Sequence, residues 1–159
     1  MLAYVGLGSN LDDPIAHVIR AFRELEEVPD TKLIKRSAIY RSRPVGPGNQ
    51  PDYINAAALL QTELEPLALL DALQAIEHSH DRVRIEHWGP RTLDLDILLL
   101  DNRTITSDRL NVPHPYLAQR NFVLYPLADI EPDLKLPNGT SLRELIAACQ
   151  HDGLERLES

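Results

Sequence analysis

An α+β fold is predicted, with an antiparallel sheet and two helices against one of its faces. Three observations predict it. From Leu2 to Leu100 the apolar periodicity runs strand, helix, strand, strand, helix, strand. The run Leu93, Leu95, Ile97, Leu99 alternates with Asp94 and Asp96, the pattern of a strand with one buried and one polar face. The chain has 159 residues, 43% of them hydrophobic, which suits one compact domain spanning 1–159.

Leu2 to Leu7 reads as a buried strand ending in a turn at Gly6-Leu7-Gly8-Ser9-Asn10. Asp13 is placed to cap a helix with Pro14 at its first position. Ile15, Val18, Ile19, Phe22 and Leu25 fall on one side of that helix. A second strand covers about Lys32 to Arg41, a Pro/Gly-rich loop runs from Pro44 to Pro51, and Tyr53 to Gln61 forms a third strand. A helix from Pro66 to about His80 buries Leu69, Leu73 and Ile76, and the strand with the two aspartates follows. This order is the split βαβ of a ferredoxin-like core, which puts both helices on one face and leaves the other free for a site. Beyond it lies a C-terminal extension. Its segment from Val112 to Pro137 carries no clear periodicity. Its last helix opens with the capping box Ser141-x-x-Glu144 and buries Leu142, Leu145, Ile146 and Cys149.

Composition narrows the function. A net charge of -8 argues against a nucleic-acid partner. The single Cys149 excludes an internal disulfide, and the longest apolar run, Ile97 to Leu100, is far too short to span a bilayer. The N-terminus lacks the pattern of a signal peptide, so a cytoplasmic protein without a membrane partner is expected, as a monomer. Of the 16 cationic residues only Lys32, Lys35 and Lys135 are lysine. Arg82, Arg84, Arg91, Arg103, Arg109 and Arg120 gather in sequence around the aspartates, and guanidinium forks suit phosphate. A small phosphorylated ligand is indicated.

Successive side chains of a strand point to opposite faces, so Asp94 and Asp96 project together, with Cα atoms about 6.5–7 Å apart. Like charges at that spacing repel unless a cation lies between them, and Asp is disfavoured inside strands. A metal role is therefore favoured over a merely wet strand face. Gly6-x-Gly8 resembles the start of a dinucleotide fingerprint, but Leu11 stands at the third glycine position and the element order is not that of a parallel sheet. Gly8-Ser9 with Asp94-x-Asp96 also resembles a nucleotidyltransferase pattern, though the two lie at opposite ends of the split βαβ. Gln74 and Glu77 share one side of the second helix. Arg82 and Arg84, if extended, point the same way. Trp88 could stack on a base or fill the core, and His114, between Pro113 and Pro115, could donate to phosphate. Tyr53 and Asn55 share a strand face and, with Phe122, would suit a flat heterocycle with amide-like edges.

The chain closely resembles the 6-hydroxymethyl-7,8-dihydropterin pyrophosphokinases of folate biosynthesis. The motifs are Gly8-Ser9-Asn10-Leu11, Pro44-Val45-Gly46-Pro47, Gln50 to Ala56, Arg82-x-Arg84, Trp88 to Ile97 and Val112-Pro113-His114. The resemblance implies transfer of a diphosphate from ATP to the pterin hydroxymethyl group, releasing AMP, with two Mg²⁺ ions on Asp94 and Asp96. It places Arg82 and Arg91 on the transferring group. Arg84, Arg109, Asn111, His114, Tyr116 and Arg120 would serve ATP, with Gln74, Glu77, Trp88 and Ile97 lining the nucleotide site. Ser42, Arg43, Val45, Tyr53, Asn55 and Phe122 would hold the pterin, and the loops from Arg43 to Gln50 and from Asp81 to Gly89 would close over the substrates. Ser42-Arg43 stands where Thr-Pro or Thr-Ala is common in the family, and Asn111 where Thr is frequent. Two alternatives stay open: a non-catalytic nucleotide- or pterin-binding regulatory module, and a metal-dependent nucleotidyltransferase.

Overall fold

The computed structural model describes residues 1–10, 13–42, 52–81, 92–115, 117, 120–149 and 154–157. Strand β1 (Leu2–Ser9) leads into helix α1 (Pro14–Glu26), then strands β2 (Thr31–Arg36), β3 (Tyr40–Ser42) and β4 (Tyr53–Thr62). Helix α2 (Pro66–Asp81) returns to strand β5 (Asp94–Leu100). The extension contributes β6 (Ile105–Thr106), β7 (Asn111–Val112), α3 (Asn121–Ile130), α4 (Leu142–Ala148) and β8 (Leu154–Arg156).

The main sheet runs β5-β1-β4-β3-β8, with β2 also paired to β4, and every pairing is antiparallel. β1 and β2 therefore run the same way with β4 between them, and β4 and β5 the same way with β1 between them. That is the expected split βαβ core. The single strand read from Lys32 to Arg41 is two strands. β2 pairs with the end of β4 and β3 with its start, and in between Ser37 turns its hydroxyl to the Ala57 amide at 2.8 Å.

One face of the sheet carries α1 and α2. Ala3, Val5 and Leu7 of β1, Ile54, Ala56, Ala58 and Leu60 of β4, and Leu95, Ile97 and Leu100 of β5 pack there against Val18, Ala21, Phe22, Leu25, Leu69 and Leu73. Each fully buried large apolar side chain contributes about 1.5–3 kcal/mol, so this layer dominates stability. The α1 face differs from expectation at one place: Ala21 is buried, while Ile19 is exposed. Asp13 caps through its backbone, in a left-handed conformation with φ 64°, and its side chain makes no cap bond. The α4 cap is as expected, with Ser141 Oγ accepting from the Glu144 amide at 3.1 Å.

The opposite face is not wholly free. Helix α3, which lies in the segment without clear periodicity, packs with α4 on Tyr4, Ala57, Leu59, Leu98 and Leu99 through Leu124, Leu127, Ile130 and Leu142. α3 escaped the sequence reading because Pro126 stands inside it and its residues are apolar on most sides. Its cover stops at one half of the face.

Candidate active site

The uncovered half is built by alternation. β1 places Gly8 opposite both Asp94 and Asn55, and Gly6 opposite Asp96. Directly opposed residues of antiparallel strands share a face, with Cβ atoms about 4.5–5.5 Å apart. Both glycines lie inside β1, not in the turn expected after it. Their role is to leave that face bare beside the carboxylates. A Cβ on Gly8 would stand 3.5 Å from Asn55 Oδ1, and one on Gly6 would stand 3.4 Å from Leu98 Cδ1. Asn55 and Leu98 thus lean over the space the glycines vacate.

The carboxylates differ in environment: Asp94 is half-buried and Asp96 exposed. Their strand is fixed from three sides. The Ser9 hydroxyl donates to the Thr92 carbonyl, tying the end of β1 to the start of β5. The Leu95 amide, between the two aspartates, donates to Glu77 Oε2 of α2 at 2.7 Å. The His114 amide donates to the Leu98 carbonyl at 3.0 Å. Glu77 accordingly brings a third carboxylate to the outer edge of β5. Ile97 lies two residues beyond Leu95 on that edge, but its side chain is in the core, so its backbone is the part left for a ligand.

Asn55 is buried and oriented, with Nδ2 donating to Ser42 Oγ at 2.8 Å. Tyr53 is half-buried and two residues earlier, on the same face. Tyr40, opposite Asn55 on β3, donates its hydroxyl to Asp129 Oδ2 of α3 at 2.9 Å. Burial first, then the bond and the charge of Asp129, push its phenol up to about 12, so it stays protonated. Ser42, Asn55 and Tyr53 therefore come together as one wall. At the N-terminus of α3 the Arg120 guanidinium lies 5.5 Å over the Phe122 ring, which joins two expected ligand residues in a cation–π contact.

Among the residues expected to serve the nucleotide, Arg109 Nη2 donates to Asp71 Oδ1 at 2.5 Å and to Gln74 Oε1 at 3.3 Å. Asn111 is exposed on β7 and His114 half-buried. Arg43, Val45, Arg82, Arg84, Trp88, Arg91 and Tyr116 lie outside the described residues. Sequence reasoning missed Gly6, Gly8 and Asp71. The two glycines carried a signal, since their spacing of two matches that of Asp94 and Asp96.

Among the described residues no three His, Cys, Asp or Glu side chains converge on a point that could hold a metal. The donors present are two carboxylates on one face. That set fits Mg²⁺, which commonly takes one or two carboxylates and completes its shell with water and substrate phosphate oxygens. Among the described residues no cationic side chain pairs with Asp96, which is exposed.

Comparison with known proteins adds the chemistry. The family model for 7,8-dihydro-6-hydroxymethylpterin-pyrophosphokinase (HPPK) matches residues 4–132. A 2-amino-4-hydroxy-6-hydroxymethyldihydropteridine pyrophosphokinase of Pseudomonas aeruginosa is 53% identical over 97% of this chain and 95% of its own. The Haemophilus influenzae protein of the same name is 48% identical over 91% of this chain and 90% of its own. A solved HPPK-DHPS chain in complex with substrates superimposes with a TM-score of 0.78 at 16% identity, over 98% of this chain and 46% of that one. The chain thus spans about half the length of that solved chain, and the likeness shows the shared fold. The match over residues 4–132 and the 53% identity over 97% of the chain show that this chain belongs to the 7,8-dihydro-6-hydroxymethylpterin-pyrophosphokinase family.

Proposed function

We propose that the chain transfers the terminal diphosphate of ATP to the hydroxymethyl oxygen of 6-hydroxymethyl-7,8-dihydropterin, a step of folate biosynthesis. The observation that carries this reading is the placement of Asp94 and Asp96 opposite Gly8 and Gly6, with Asn55 held over Gly8. The substrate hydroxyl attacks the β-phosphorus, the bond from that phosphorus to the α–β bridging oxygen breaks, and the hydroxyl proton is lost. AMP leaves with the bridging oxygen.

Asp94 and Asp96 would hold two Mg²⁺ ions, which would supply charge neutralisation for the triphosphate and acidify the attacking hydroxyl. Asn55 both donates and accepts along the pterin edge, while Tyr53 and Phe122 offer faces to the ring. Ser42, through its bond to Asn55, fixes which way that amide points. Arg109 leaves Asp71 for the phosphates. Arg120 and His114 join it there, with Asn111, Gln74, Glu77 and the Ile97 backbone around the nucleoside. Arg82 and Arg91 stabilise the transferring group, Arg84, Trp88 and Tyr116 complete the ATP site, and Arg43 and Val45 complete the pterin site.

The same reading takes the chain as a cytoplasmic monomer acting on small molecules; its acidic charge disfavours a nucleic-acid partner, and among the described residues no helix is long and apolar enough to cross a membrane. The test is incubation with ATP, the hydroxymethyl-dihydropterin and Mg²⁺. AMP and the pterin diphosphate are expected, whereas ADP or inorganic pyrophosphate as product would overturn the reading.

A further inference from the structure

Away from the carboxylates, the end of α2 meets the side of α1 through a chain of three titratable groups. His80 is buried; its Nε2 lies 2.5 Å from Glu24 Oε1 and its Nδ1 lies 2.6 Å from His17 Nδ1. The two imidazoles are tilted by 52° with centroids 4.8 Å apart. Ser79 Oγ lies 3.2 Å from the Glu24 carboxylate while its hydroxyl has the Ile76 carbonyl at 2.7 Å, and Arg20 pairs with Glu24 at 3.4 Å. Arg20 of α1 pairs with Glu24, Glu77 and His78 precede His80 by three and two residues in α2, and the strands beneath turn apolar residues such as Leu7 and Leu95 to the helices.

Proton counting fixes the state of this chain. A carboxylate only accepts, so His80 Nε2 carries a hydrogen toward Glu24. Two nitrogens 2.6 Å apart have room for a single hydrogen between them, so one Nδ1 donates and the other accepts. The pair can therefore hold its contact while at least one imidazole is neutral, and must part when both are imidazolium. A metal does not fit the trio, because Glu24 and His17 lie on opposite edges of the His80 ring and cannot converge with it on one ion.

The location gives the contact a consequence. His80 stands one turn after Glu77, whose carboxylate receives the Leu95 amide between Asp94 and Asp96. We propose that Glu24, His80 and His17 form a hydrogen-bonded clamp that fixes the last turn of α2 against α1, making His80 a positioning residue for Glu77 and for the nucleotide edge of β5. The proposal rests on β5 being the metal and nucleotide strand. Once acidification charges both imidazoles, the two nitrogens part, the clamp opens and ATP retention weakens without touching the transfer step.

The experiment measures KM for ATP and kcat at about pH 7.5 and about pH 5.5 in the wild type, His17→Gln and His80→Leu. A glutamine amide both donates and accepts, so His17→Gln keeps the contact in either protonation state of His80. Its rise in KM on acidification should be smaller than the wild type's by about threefold or more, because the rise due to ATP itself is common to both. His80→Leu should raise KM for ATP about fivefold at both pH values, with kcat held within about twofold. A merely structural role would lower kcat through the active fraction and leave KM alone. That result, or a His17→Gln profile matching the wild type, overturns the proposal.

If His80→Leu does not fold, the His17→Gln profile decides. If the wild type makes no AMP at all, the transferase reading fails independently. The clamp is then read by calorimetry with a non-hydrolysable ATP analogue over the same pH span. It is also read by a ¹⁵N–¹⁵N coupling across the two Nδ1 atoms, expected near neutral pH and lost in His17→Gln. Absence of that coupling in the wild type overturns the clamp.

Discussion

The two halves of the sheet face opposite α1 and α2 are made by the same three strands and have opposite characters. At one end β1, β4 and β5 present Gly6, Gly8, Asn55, Asp94 and Asp96. At the other they present Tyr4, Ala57, Leu59, Leu98 and Leu99, sealed beneath α3 and α4. Backbone pairing continues through both halves, so the contrast lies in side-chain size and charge. The sealed half sets how firmly the sheet is held, and the open half uses that rigidity to keep two like charges on one face.

The sharpest way to break the contrast is at its charged end. Asp96→Ala should lower AMP formation by about a thousandfold or more while leaving the denaturation midpoint near the wild type, because Asp96 is exposed and supports nothing beneath it. Near-normal turnover would remove the metal argument. In the sealed half the converse holds. Leu127 is fully buried, so Leu127→Ala should cost about 2–5 kcal/mol in urea denaturation yet leave kcat per folded molecule unchanged.

Smaller effects probe the boundary. At Gly8 a Cβ meets only ordinary contact with Asn55, so Gly8→Val should fold, while its γ-methyls occupy space beside Asp94. A loss of about 10- to 100-fold in kcat/KM with little change in stability is expected, and steady-state kinetics beside a melt will check it. Tyr40 borders the wall and joins β3 to α3. Its phenol is raised from 10.0 to about 12, so its stabilising bond is present below pH 10 and is lost as pH rises toward 12. Tyr40→Phe should cost about 1 kcal/mol at neutral pH and flatten that alkaline loss, as read by denaturation across the same window.

The split βαβ core was legible because its signals are local: Pro14 and Pro66 start helices, and the strands alternate or run apolar. Asp94 and Asp96 were legible as a pair for the same reason. The cover on the opposite face was not, because Pro126 and the nearly uniform apolarity of α3 erase the periodicity that marks a helix. The bare face beside the aspartates was hidden by its own means, since glycine punctuates turns far more often than it lines a strand. Tyr53 and Asn55 were legible as neighbours on one strand face, and Ser42 only through the family resemblance. Their meeting depends on the pairing of β3 with β4, which no local pattern encodes.

Leu98 carries a further consequence. The β1–β5 register slips between Tyr4 and Val5, so Leu98 is the extra residue of β5, and it packs over Gly6 beside Asp96. It acts as a bulkhead, with water on the carboxylate side and close-packed hydrocarbon on the other. A charge against such a wall loses solvent screening on one side only, so the field of Asp96 is lopsided and strongest where solvent is displaced. One misplaced leucine in the strand thereby gives the acidic surface a direction.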